Sequence, residues 1–488
     1  MRLTTFLLGE YSFFKMVIKK KDLLWSYAGT VLALGINFII IPILMRYLDQ
    51  NALGLWQVFS SIGSIAILLD FGFSPTLARS IAYIWSGASD LKKTGGYVVA
   101  SSKEPNYDML SKVLKVCQRI YLVISLFALL LLSTIGTVYI LHITKDFTSH
   151  RHLIAWTIYL LAVFINLYFY YCSAALIGIG QVGNNNKAKF YASIVQIVAC
   201  FILCVLQFGI IAPCFAYLLF GLFFRGLARR CFYSTNNLKE KLHQLVHQVE
   251  ASEIKRIFLV IWHNAWRDGL VVFSMFLIGQ ANTIICSLFY SLQQTAMYSL
   301  SLQFVQGIGI VSGVAYATFQ PKMQAAFIRQ DITETKRLVS FSVVTYCITF
   351  FVSFITLIAI GIPFLELVNR RYVFDIPLLL GIGLYIFLQK RFIMYCSFIS
   401  NTNKVPYVKP FILSGFFSVL LSIVFSKCLS IGIWGLVLGQ FLSQSVYNNW
   451  HWSRRVKKTL DLDAGGMFKS AVNDYKRIFR EIIAKRKQ

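Results

Sequence analysis

Charge is scarce in this chain of 488 residues: 14% of positions are Asp, Glu, Lys or Arg, against 57% that are hydrophobic. With a mean hydropathy of +0.64, that excludes a soluble domain of this length. Acidic residues are scarcest, 20 against 47 basic ones, for a formal charge of +27. Clustered cysteines are also missing. The ten cysteines are scattered, mostly within apolar runs where cysteine acts as a small hydrophobe, and no spacing suggests a zinc site or a disulfide framework. No cleavage pattern follows an apolar stretch in the first 22 residues, which carry Glu10 and the cluster Lys19, Lys20 and Lys21, so no signal peptide is expected.

What the chain does have is long uncharged runs, with basic residues concentrated in every second connection between them. Only Lys145, Arg151, Arg370, Arg371 and Lys427 are assigned to the opposite connections, and Arg46, Arg79, Arg119 and Arg267 to the runs or their ends. If the runs cross a bilayer, this bias is the positive-inside rule, with both termini cytoplasmic in the plasma (inner) membrane. The basic loops then face anionic lipid headgroups. Nucleic acid is not an expected partner, because no basic face lies on a recognisable binding module.

A crossing helix needs about 20 residues for a hydrocarbon core of roughly 30 Å. Twelve runs qualify: 23–46, 54–86, 119–142, 153–177, 188–207 and 210–226, then 259–290, 296–320, 338–363, 373–396, 408–427 and 430–450. Between Gly269 and Pro321 no residue is charged, a stretch far too long for one helix, so it must turn near Ser291. The expected organisation is a six-helix bundle over 1–226, a cytoplasmic linker over 227–258, a second bundle over 259–450 and a basic tail over 451–488.

Two short likenesses point to duplication. Leu48-Asp-Gln-Asn-Ala-Leu53 ends the first hairpin as Leu292-Gln-Gln-Thr-Ala-Met297 ends the seventh-to-eighth one, and each is followed by a proline, Pro75 and Pro321. Asn184-Asn-Asn-Lys-Ala188 follows span four as Asn401-Thr-Asn-Lys-Val405 follows span ten. Six spans per half make a parallel repeat, an arrangement that holds its site at the interface of the halves. In the tail, Phe468, Val472, Tyr475, Phe479 and Ile482 share one helical face among basic neighbours, which suits either an amphipathic helix on the inner leaflet or a solvated tail. Leu238, Leu242, Leu245 and Val249 give the linker a similar face.

Ionisable groups inside spans each cost about 2.5–3.5 kcal/mol at a helix centre, so they mark a cavity or a partner. Asp70 lies within span two, beside Gly72 and Pro75, which can kink the helix. Arg79 follows nine residues on, on the opposite face of a straight helix. Arg267 and Asp268 are adjacent near an interface, as cavity-mouth residues or ordinary boundary charges. His263 is a candidate proton carrier or a polar contact. Asn37, Gln57, Gln280, Asn282, Gln303 and Gln306 add neutral polar groups to facing hairpins, as cavity wall or as helix glue.

Three motifs lack the context their chemistry needs. Gly178-Ile-Gly180-Gln-Val-Gly183 spells a dinucleotide fingerprint without a strand before it. Asp461 and Asp463 are paired without a nucleotide-binding domain, and His243 and His247 lack the glutamate of a zinc protease. No metal site is expected.

The opening of the chain resembles the polysaccharide repeat-unit flippases of the O-antigen type, in the superfamily of multidrug-and-toxin extruders and lipid II flippases. The likeness rests on Leu23–Thr30, Ile41–Arg46, Ala52–Trp56, Leu69–Pro75 and Arg79–Tyr83, and on Trp262–Asp268 with the uncharged hairpin after it. It implies two six-helix bundles around a central cavity that opens alternately to either side. The implied substrate is an oligosaccharide on a polyprenyl pyrophosphate, and other polysaccharide-assembly proteins are implied partners. By position, Arg46, Arg79 and Arg267 match cations for the pyrophosphate. Asp70 and Asp268 match acidic groups that couple transport to a proton or sodium gradient, with no other cofactor. An exporter of cationic drugs with the same architecture is the near alternative. A membrane-bound polymerase or glycosyltransferase is the alternative from another class, disfavoured because no outer loop exceeds roughly a dozen residues.

Overall fold

The structure is a computed structural model that describes residues 39–486 apart from 86, 92–103, 146, 148, 245–250, 317, 318, 321, 322, 324, 325, 327–330, 372 and 401–405. Among the described residues every regular element is a helix. The first half comprises α1 (39–47), α2 (Gln50–Leu68), α3 (Phe73–Trp85), α4 (Tyr107–Ile143), α5 (Arg151–Gly178), α6 (Val182–Val205) and α7 (Ile211–Ser234). The short α8 (Leu238–Gln244) leads to α9 (Ala251–Gly279), α10 (Ala281–Phe289), α11 (Leu292–Ser312), α12 (Ile332–Val368), α13 (Ile376–Ser400) and α14 (Val408–Cys428). The chain ends in α15 (Trp434–Ser445), α16 (Asn448–Thr459) and α17 (Ala464–Arg486).

Among the described residues, ten stretches are long and apolar enough to cross a bilayer. Their outer faces agree: Val123, Leu130 and Ile135 on α4 and Val352, Ile355 and Leu367 on α12 are largely exposed, as lipid permits and water does not favour. The protein is an all-α, multi-pass membrane protein.

The helices outrun the apolar runs that announce them. Span three begins at Tyr107 rather than near 119, and span nine at Ile332 rather than 338. In each case a polar cap sets the start: Asn106 accepts from the Met109 N–H at 3.0 Å and Asp331 from the Glu334 N–H at 2.9 Å. Span two breaks at Asp70, where Phe71 and Gly72 take φ of 45° and 75°. The expected turn at Ser291 is present, as a capping box with Gln294. Span twelve is interrupted at Val446–Tyr447 and its helix continues to Thr459, past the expected end at 450. Span one is described only from residue 39.

The duplication is visible in the backbone. Both α4 and α12 have 37 residues. Each is an α segment of 25 residues, a π turn of five (Leu132–Gly136 and Leu357–Gly361) and a final α segment of seven. A π turn inserts one residue into the helical repeat, and finding it at the same place in two helices with different side chains points to a shared origin.

The repeated turns meet each other. A Cβ on Gly54, in the first turn of α2, would lie 2.1 Å from the carbonyl oxygen of Leu292 in the first turn of α11. Around this contact Asn369 donates to the Met45 carbonyl at 2.7 Å and Gln50 to the Arg371 carbonyl at 2.5 Å. The Tyr139 hydroxyl and Ser287 Oγ are 2.5 Å apart. The halves also share cores. Ile41, Leu44 and Met45 of α1 pack with Tyr298, Val339 and Tyr346, while Ile257, Ile261 and Ala265 of α9 pack among α3, α4 and α5.

The linker and tail differ from expectation. Residues 227–234 continue α7, and α9 starts at Ala251, before the expected 259. Leu238 is fully buried in the first-half core with Leu242 packed beside it, so the linker face covers protein rather than lipid; Leu245 and Val249 lie outside the described residues. The tail helix docks on α12 through Met467 and Ala471, with Tyr475 against Phe341 and hydrogen-bonded to Thr345 at 2.7 Å. Phe468 faces outward and Val472 is half-buried; the side chains of Phe479 and Ile482 are not described. Asp463 caps this helix at the Gly466 N–H (2.9 Å), which accounts for one of the two aspartates there. Gly180, with φ of 83°, forms the turn between α5 and α6, so the glycine motif belongs to a helix–turn–helix corner.

At the far end from the Gly54 contact, Asp90 pairs with Arg256 at 2.6 Å, joining the end of α3 to the start of α9. Burial alone would raise the Asp90 carboxyl. The Arg256 hydrogen bond, the Leu91 N–H and the charges of Arg256 and Lys112 outweigh it and hold the group below its ordinary value. A lowered carboxyl contributes stability that is complete above the unfolded value of about 3.9 and vanishes as pH falls through the folded one. Asp90→Asn should therefore flatten the loss of thermal stability in detergent below about pH 4, and a variant with the wild-type acid limb would show the pair to be idle. Gly54→Ala should lower the unfolding midpoint through overpacking of about 1–3 kcal/mol. Gly226→Ala, with nothing within 4 Å of its Cβ, should leave it unchanged or raise it.

Candidate functional site

Below the Gly54 contact, α2 and α11 separate and leave a cavity of about 280 Å³ between the halves. From α2 come Gln57, Ser60, Ser61 and Ser64; from α11, Ser299, Gln303 and Gln306; from the α9–α10 break, Gln280 and Thr283. Gln57 Nε2 donates to Gln303 Oε1 at 3.3 Å across the gap, and Gln306 donates to the Gly279 carbonyl at 3.5 Å. Among the described residues, none that lines this cleft is charged. Such a wall offers many hydrogen-bond donors and acceptors and no fixed charge.

A second cavity, of about 630 Å³, lies inside the first half between α2, α5, α6 and α7. Among the described residues its wall carries one carboxylate, Asp70, and two cations, Lys189 and Arg225. Asp70 is 8% exposed. Its Oδ2 accepts from the Ser74 N–H at 3.2 Å and its Oδ1 from the Tyr121 hydroxyl. The α2–α3 bend makes this possible, since it turns the carboxylate onto the freed N–H of Ser74. Arg225 is 6% exposed. Its Nη1 donates to Ser173 Oγ at 2.7 Å, and its guanidinium lies 4.6 Å from the ring centres of both Tyr170 and Phe224. Its buried Nε has no hydrogen-bond partner.

The sequence-derived candidates divide. Gln57, Gln280 and Gln303 line the cleft and Asp70 the first-half cavity. Asn282 lines neither; it is buried and donates to the Leu436 carbonyl at 3.2 Å, tying α10 to α15. Arg46 is exposed at the closed end, where it donates to the Val368 carbonyl at 3.4 Å. Arg79 is exposed on α3, hydrogen-bonded to Thr76 at 3.3 Å. Neither arginine lines either of these two cavities, and both side chains are exposed. His263 is half-buried on α9 and lines neither. Arg267 and Asp268 lie on α9 with side chains outside what is described, and Asn37 precedes the described residues.

Arg225 and Lys189 are the residues that pattern reading missed. Both were counted with the basic connections, as were Lys390 and Arg391, which lie inside α13. The available signal was position: Arg225 falls within the run 210–226, behind Phe223 and Phe224, and Lys189 within 188–207. A positive charge inside an apolar run reads as a boundary residue when loops are tallied and as a buried one when the run is measured.

No family model matches the sequence, and no curated protein matches it. Solved structures do. A multidrug resistance MATE family transporter of the MOP superfamily, in an inward-facing conformation, matches with a TM-score of 0.63 at 14% identity, over 89% of this chain and 99% of its own. The lipid II flippase MurJ, in an inward closed conformation, matches at 0.55 and 13% identity over 93% of both chains. A MATE crystal structure in complex with MaL6 matches at 0.51 and 14% identity, over 91% of this chain and 97% of its own. The fold is theirs.

The Asp70 geometry is directly testable. Tyr121→Phe removes one donor from a buried carboxylate and should cost about 1–3 kcal/mol of stability, read as a lower unfolding midpoint in detergent. The same loss in an Asp70→Asn background would show that Tyr121 acts elsewhere.

Proposed function

We propose that this protein carries an oligosaccharide linked to a polyprenyl pyrophosphate across the plasma membrane, with the sugar passing through the cleft between α2 and α11. The reading rests on one observation: among the described residues, nine polar side chains line that cleft and none of them is charged. Sugar hydroxyls are donors and acceptors together, and Gln and Ser side chains match them without the desolvation cost of an ion. The lipid chain stays in the bilayer, against the apolar outer faces of the helices. Structures of the same fold include both a lipid II flippase and multidrug transporters. A cationic drug would favour carboxylates on the wall, and the described lining has none.

In this reading transport alternates between the closed end at Gly54 and Leu292 and an opening at the other end. Asp70 is the candidate for coupling to a proton or sodium gradient, since its cavity borders the bend in α2 that such a change would flex. The substrate and anionic lipids at the basic loops are the expected partners, together with other polysaccharide-assembly proteins. The product would serve cell-surface polysaccharide or O-antigen assembly.

Reconstitution into vesicles tests the reading. A lipid-linked oligosaccharide should cross with the wild-type protein, and Gln57→Ala with Gln303→Ala should slow it by about tenfold at equal protein level, the loss of one or two hydrogen bonds. Efflux of a cationic dye with no movement of the lipid-linked sugar would turn the assignment to drug export.

A further inference from the structure

The first-half cavity contains more positive charge than its own groups neutralise. Its one carboxylate among the described residues, Asp70, is occupied at both oxygens by Tyr121 and Ser74. Among the described residues neither Arg225 nor Lys189 has a carboxylate within ion-pairing distance. Arg225 is nine-tenths buried, held in position by Ser173 and two aromatic rings, and keeps a buried Nε–H with no acceptor. Rings and a hydroxyl orient a guanidinium but supply no countercharge. A fixed cation with a free donor, beside a second cation on the neighbouring helix and an open volume of about 630 Å³, is the complement of an anion with several acceptor oxygens.

We propose that this cavity is an oxyanion site, in which Arg225 on α7 and Lys189 on α6 receive a carboxylate or phosphate group. Asn185, whose Oδ1 is buried without a partner, lies on the same wall and can turn its amide to donate. The aromatic surfaces of Tyr170, Tyr217 and Phe220 leave room for a ring beside the charged group. One chemistry then has two sources: an acidic sugar, or a free inorganic anion. The site is built from groups that the neutral cleft does not use, so it stands whichever substrate crosses there.

The test is calorimetric titration of the purified full-length protein in detergent with glucuronate and, separately, with inorganic phosphate, at fixed chloride and ionic strength. Saturable binding of at least one is expected, weakened by about tenfold or more in Arg225→Gln and in Lys189→Gln. Arg225→Lys, which keeps the charge, should fold normally and retain part of the affinity. Arg455→Gln, on the exposed face of α16, should leave binding unchanged. Preference for glucuronate over both glucose and phosphate identifies an acidic sugar as the source; preference for phosphate identifies a free anion. Either supports the site. No saturable binding of either probe, or equal binding by wild type and both neutralised variants, would overturn it. Translocation measured separately in vesicles distinguishes a failed anion site from a failed carrier.

Discussion

The contact between Gly54 and the Leu292 carbonyl governs how the rest of this molecule can be arranged. Two helices that begin at the same point of each half approach there more closely than any side chain permits. Both are capped at that level, by Asp49 and Ser291, and beyond the contact the same two helices supply most of the polar wall. The polar cleft is the space between them. Hydrogen bonds from Asn369 and Gln50 across the same level hold α1 and α2 to the α12–α13 turn.

Much of this was legible in the sequence, for reasons that can be stated residue by residue. The matching of Leu48–Leu53 with Leu292–Met297 identified the two turns that touch, although nothing in the wording said that they touch each other. Ser291 was readable as a turn because an uncharged stretch of that length cannot cross a bilayer once. Gln57, Gln280 and Gln303 stood out as amides in otherwise apolar helices, and they share one cavity. Asn282 stood out equally and serves as glue, because two residues beyond the α9–α10 break its side chain turns toward α15. Composition cannot separate these cases; only the direction of the side chain does.

The misplaced residues share another cause. Arg46 and Arg79 belong to the wording that carries the resemblance, yet both side chains are exposed, Arg46 at the end of α1 and Arg79 within α3 beyond the bend. Arg225 and Lys189 fall near the ends of apolar runs, where positive charge usually marks an interface. The bend at Asp70 changes that arithmetic. It opens the first half between α2, α5, α6 and α7, and charges that would otherwise meet lipid meet a cavity instead.

In the proposed reading the two cavities divide the work of recognition by electrostatic cost. Each buried ion costs about 2.5–3.5 kcal/mol in a bilayer, so a passage that must admit a large polar group at every cycle is cheapest when its wall is neutral. Fixed charge is tolerable only where it does not have to face lipid at any stage. The first half provides such a place: Asp70 is held by Tyr121 and Ser74, and Arg225 by Ser173 between two rings. Those supports keep the ions in position, but they leave two cations against one carboxylate. An excess charge maintained at that cost, on helices that otherwise exclude it, is better explained by a ligand that completes the balance than by packing, which an apolar side chain of similar size would serve more stably.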